Sequence, residues 1–143
     1  MNTPQPRESP AIRRGEDVNK HMAAVEERYT IDFSGRPPGP PLDDPARYDD
    51  PAWVWRSAAG DSPEQLYALW QATVERSRAA MSTALASGAG LDAPAEYTTY
   101  DGGERPNLRR IVVDLHDEYA RHVGHADLMR EAVDGLVGED PPA

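Results

Sequence analysis

Apolar residues return at helical spacing in three stretches of the chain, and nowhere do they alternate long enough to predict a pair of strands. Val18, His21, Met22, Val25, Tyr29 and Phe33 recur every three or four positions, so a helix is expected from Val18 until Ser34-Gly35 and Pro37-Pro38 close it. The second stretch opens on a strong start signal. Ser62 suits an N-cap, Pro63 the first helical position, and Gln65 stands three residues after the cap. Leu66, Leu69, Trp70, Thr73, Ala80, Met81 and Ala84 then mark one face, and Ser87-Gly88 ends it. The third runs from a cap at Asn107 to a stop at Gly135, with Leu108, Ile111, Val112, Leu115, Tyr119, Ala126, Met129 and Val133 as its apolar stripe.

The segments between are loops. Residues 34–61 carry many prolines, which forbid a continuous helix, and Trp53 and Trp55 are the expected anchors. The plain reading is a surface loop pinned by aromatic packing; the sharper one is a lid over a pocket. Residues 88–106 are rich in glycine and proline. Their Tyr97-Thr98-Thr99-Tyr100 run before Asp101-Gly102-Gly103 suggests a small turn or hairpin. Residues 1–15 are polar and expected to be disordered, residues 136–143 form a flexible tail, and residues 16–135 make the single domain. The expected fold is an all-α up-down bundle of three main helices plus long loops, with one face poorly covered.

Composition narrows the function. The chain has 143 residues with a formal charge of -10, from 25 acidic against 15 basic side chains. Such a surface repels nucleic-acid phosphates and anionic lipid, so no nucleic acid and no membrane is expected as partner. Cysteine is absent, which excludes disulfides, a thiolate nucleophile and cysteine-ligated metal. No apolar run approaches the roughly 20 residues of a membrane span. The first residues lack the apolar core of a signal peptide, and a cytoplasmic location is expected.

Three of the four histidines lie in HDEYARHVGH, residues 116–125. At about 100° per residue, His122 falls near the centre of the apolar stripe and Glu118 lies one turn earlier on its flank. His125 lies further toward that flank, and His116 on the opposite edge is expected to be solvated. His21 stands beside Val18 and Val25 on the first helix and also faces inward. Two imidazoles and a carboxylate from two helices can form one face of a divalent-metal site that leaves positions open for water or substrate. They suit zinc, nickel, iron or manganese alike. The bland alternative is an ion pair between Glu118 and His122 with His21 packed in the core. Asp127 and Arg130 are spaced for a local helix pair. No phosphate-binding glycine loop or serine nucleophile elbow is present.

At these same residues the chain resembles a known family. LRRIVVDLHDEYARHVGHADLMREAVDG, residues 108–135, is similar to the last helix of the DinB-like superfamily, and above all to its actinobacterial mini-circle branch, a domain of unknown function. VNKHMAAVE, residues 18–26, resembles the superfamily's second helix. The stretch from DDPAWVWR to VERSRAAM resembles its third-helix region. The resemblance covers roughly residues 18–138 and implies a four-helix bundle whose metal ligands fall on His21, Glu118 and His122. Glutamate at the middle ligand is the choice of the similar mycothiol-dependent maleylpyruvate isomerases. His125 stands where a glutamine is common, and Asp114 where other members of the branch often carry histidine. Before Val18, Arg13, Arg14, Gly15, Glu16 and Asp17 replace an apolar pattern, so the family's first helix is expected to be missing.

The resemblance thus implies a divalent metal (zinc, nickel or similar), mycothiol as a thiol cofactor, and a transferase or isomerase acting on a small electrophile. His125 would be the catalytic proton-transfer group, and the loop 34–61 a pocket wall. Two rival readings remain: a non-catalytic helical protein that self-associates as a homodimer or binds a partner, and a truncated, inactive family member.

Overall fold

The structure, a computed structural model, describes residues 17–98 and 103–137. The expectations for residues 1–15, for Thr99 to Gly102 and for the chain beyond Val137 lie outside them. Among the described residues there is no strand, and five α-helices follow in order: α1 (Asp17–Glu26), α2 (Ala46–Asp49), α3 (Trp53–Ala58), α4 (Pro63–Leu85) and α5 (Leu108–Asp134). The fold is all-α, as the periodicity predicts.

The two long helices start and stop where their sequences say. The Ser62 side chain accepts from the Gln65 amide while Gln65 Oε1 accepts from the Ser62 amide, a complete capping box ahead of α4. Asn107 Oδ1 accepts from the Arg110 amide at 3.0 Å and opens α5. Gly135 ends α5 at φ 72°, a left-handed conformation that costs any residue with a Cβ about 1–2 kcal/mol.

The first helix departs from expectation. It does not run on uniformly to Phe33: at Glu27 it widens into a π-helical turn, Glu27–Ile31, and closes with a 3-10 turn at Asp32–Ser34. Thr30 Oγ1 donates to the Glu26 carbonyl at 2.5 Å where the helix widens. Glu27 explains the wider turn's place. Its fully buried carboxylate accepts from the Gly39 amide at 2.7 Å and from Arg76 at 3.1 Å, so it ties the proline-rich segment and α4 to the end of α1.

The segment 34–61 is also less plain than a loop. It folds into α2 and α3, and α3 packs on α1. Lys20, buried on α1, donates to Asp61 at 2.5 Å and lies 5.3 Å from the centre of the Trp53 ring. The turn or hairpin expected at Tyr97–Gly103 falls mostly outside the described residues; residues 88–98 are joined to the start of α5 by an antiparallel bridge between Pro94 and Asn107. They lie against the start of α5 through Ala95 N–H to the Pro106 carbonyl (2.8 Å) and Leu108 N–H to the Ala93 carbonyl (2.9 Å).

The core forms two clusters. One gathers Phe33, Ala93, Ala95, Leu108 and Ile111; the other gathers Met22, Val25 and Leu115 with Trp70 and Tyr119 at its edge. The stripe of α5 is covered unevenly. Leu108, Ile111 and Leu115 are buried, but Val112 is partly exposed and Val133 is 89% exposed. The poorly covered face therefore includes Val112 and Val133, where the periodicity alone would have placed core.

Candidate metal centre

Where the second cluster ends, α1 and α5 bring three polar side chains together. His21 projects from α1 one residue before the buried Met22, and its ring lies 4.3 Å, centre to centre, from that of His122 on α5. Glu118 comes from one helical turn before His122. Its Oε2 lies 3.3 Å from His122 Nε2 and 4.0 Å from His21 Nε2, and one ligand atom from each of the three residues lies within 4.8 Å of the others. The other oxygen, Oε1, accepts from Arg121 at 3.1 Å. That contact leaves Oε2 turned toward the two imidazoles.

These residues fit a divalent cation. Ligand bonds of about 2.0–2.2 Å in a tetrahedral site put neighbouring donor atoms about 3.4 Å apart. The Glu118–His122 distance already has that length, and the 4.0 Å between His21 and Glu118 is about 0.6 Å longer. All three side chains are only partly exposed, so the donors are not fully hydrated. Burial, the largest cause, holds the His122 imidazole below its ordinary pKa, and His125 and Arg121 push the same way against the opposing pull of Glu118. A neutral imidazole is the form that offers a lone pair to a metal.

Several neighbours were not foreseen. The Trp55 ring stacks on His21, with centres 4.8 Å apart and planes 14° from parallel. The second tryptophan of the proline-rich segment thus covers a site residue. Trp70 Nε1 donates to the Tyr119 hydroxyl at 2.9 Å, and Tyr119 donates to buried Glu26 at 2.7 Å. Burial first, then the hydrogen bond to Glu26, raises the Tyr119 pKa against the opposing Trp70 donation and keeps the phenol protonated. The one available sign was Glu26 standing four residues after Met22, a carboxylate on the inward side.

His125 lies beside the three residues but not among them: its exposed ring is 5.6 Å from that of His122, edge on. His116 points to solvent near Asp117, as its place on the helix predicts. Arg130 pairs with Asp127 at 2.9 Å. Among the described residues no helix is long and apolar enough to cross a membrane.

A family model described as mycothiol-S-transferase matches residues 17–135. No curated protein matches the chain, and no solved structure does.

Proposed function

The chain belongs to the mycothiol-S-transferase family, and from that premise we propose that it is a metal-dependent enzyme that joins the thiol of mycothiol to a small electrophile. The observation that carries this reading is the convergence of His21, Glu118 and His122 from two helices onto one point. A divalent cation held there would act as a Lewis acid that favours the thiolate form of a bound thiol. The chain's own residues divide the remaining work. Arg121 fixes which Glu118 oxygen faces inward, Trp55 holds the plane of His21, and burial keeps His122 neutral. His125, exposed beside His122, is placed to pass a proton between the site and water.

The test is metal content and conjugation together. Protein purified without a histidine tag should carry about one zinc, nickel or similar ion per chain and consume mycothiol in the presence of a bromobimane. Protein with no bound metal and no thermal shift on adding zinc or nickel would sink the proposal.

One observation favours a second property, self-association. Val112 (39% exposed), Val123 (63%) and Val133 (89%) lie within about 80° of one another around α5 and leave an apolar strip open. A homodimer through this face is expected to show in light scattering, and Val133→Glu should convert it to monomer. A monomer at all concentrations removes that reading without touching the enzymatic one.

A further inference from the structure

Beside the triad, the second core cluster opens into a cleft of about 190 Å3. Asn19 and Met22 of α1, Trp70 of α4, and Tyr119, Val123 and Ala126 of α5 form most of its wall, and His122 belongs to the same lining. An occupant of the cleft therefore touches one of the three site residues. Apart from His122, three of the lining residues carry polar groups: the Trp70 N–H is engaged with Tyr119, the Tyr119 O–H is engaged with Glu26, and the third is the Asn19 amide. Among the described residues no lysine, arginine, aspartate or glutamate lines the cleft.

We propose that this cleft seats the apolar, uncharged body of the electrophile, a group about the size of one aromatic ring. The inference rests on the proposed function for what the triad does, and adds the class of substrate. Size supports it, since an apolar cavity of about 150 Å3 accepts a benzene ring. So does the lining: a thioether and two aromatic rings make favourable edge and sulfur contacts with a further ring. The thiol cofactor is the wrong occupant. Its sugar and inositol carry many hydroxyls, and burying them without partners costs roughly 1–3 kcal/mol each. A wall that offers one side-chain amide beside two engaged polar tips cannot satisfy that many. The polar cofactor is left to approach the triad from outside the cleft, which holds the two reactants on different sides of His122.

The experiment uses the full zinc-loaded chain and two uncharged probes, benzyl alcohol and myo-inositol, followed by the Met22 methyl and Trp70 indole NMR signals. Benzyl alcohol is expected to shift both signals saturably, and myo-inositol neither. Ala126→Phe, which fills the cleft, should weaken benzyl alcohol binding about tenfold or more. Ala132→Phe, at an exposed position of the same helix, should leave it unchanged. Should Ala126→Phe fail to fold, Val123→Lys replaces it, because that position is already open to water. Zinc content measured on each sample separates the two readings. A chain that binds zinc but not benzyl alcohol, or binds it unaffected by the cleft variants, overturns the cleft and spares the proposed function. Saturable shifts with myo-inositol overturn it too. A chain that binds benzyl alcohol in the cleft but no zinc supports the cleft and sinks the function.

Discussion

At His122 two demands meet, because the imidazole must stay neutral to serve as a donor and must also sit half-buried beside an acidic neighbour. Burial wins and holds its pKa below the 6.5 of an unperturbed histidine. The unfolded chain therefore binds the extra proton first, in the interval between 6.5 and the lower folded value. Stability of the metal-free protein is complete above that interval and falls as the pH drops through it. Urea unfolding of chelator-treated protein at pH 7.5 and 5.5 should show this loss, and His122→Gln should shrink it; an equal loss in the variant would assign the effect elsewhere. The neighbours differ in weight. His122→Ala removes a proposed ligand and is expected to abolish metal content, whereas Arg121→Ala removes an exposed pair worth about 0.3–0.5 kcal/mol and should leave metal bound. Trp55→Ala frees the His21 ring, so zinc affinity should fall several-fold while the unfolding midpoint of the metal-free chain moves little; equilibrium dialysis beside a urea melt distinguishes the two effects.

At the scale of elements, the parts read correctly from the sequence were those governed by local chemistry. Ser62 with Gln65, Asn107 and Gly135 each satisfy or terminate a helix end within a few residues, so their signals needed no knowledge of the rest of the fold. The spacing of Glu118 and His122 was legible for the same reason, and His21 was legible as an inward-facing position. What escaped depended on partners distant in sequence. Glu27 reads as an ordinary helical glutamate until Gly39 and Arg76 are brought to it, and only then does the widened turn have a cause. Lys20 reads as a surface lysine until Asp61 and Trp53 enclose it. The stripe of α5 misled in the other direction, since periodicity reports which side chains share a face and not whether anything packs on that face. The Lys20–Asp61 contact yields its own prediction. Asp61→Ala leaves a buried ammonium without its partner and should destabilise the chain by about 2 kcal/mol, read as a lower urea midpoint at unchanged slope. Lys20→Met with Asp61→Ala together should recover part of that loss.

For the whole molecule, the arrangement of the site has a consequence that no single helix shows. His21 stands near the start of the described chain and Glu118 and His122 near its end, so a cation shared among them joins α1 to α5 across everything between. A ligand that binds only the folded state stabilises it by an amount set by its concentration relative to its dissociation constant, about 2.7 kcal/mol at a hundredfold excess. Against a total of about 5–15 kcal/mol for a domain, that is a large share. The unfolded chain has no cysteine to capture metal, so only its histidines and carboxylates compete for the ion there. Added zinc or nickel at that excess should therefore raise the melting temperature by about 5–10 °C. The dependence on both helices is the stringent part. His21→Ala and His122→Ala should each erase the shift, and His116→Ala, whose ring points to solvent, should retain it in full. A shift that survives loss of His21 would mean that the cation is held by α5 alone. In that case it would not join the two helices, and the site would contribute nothing to holding the bundle together.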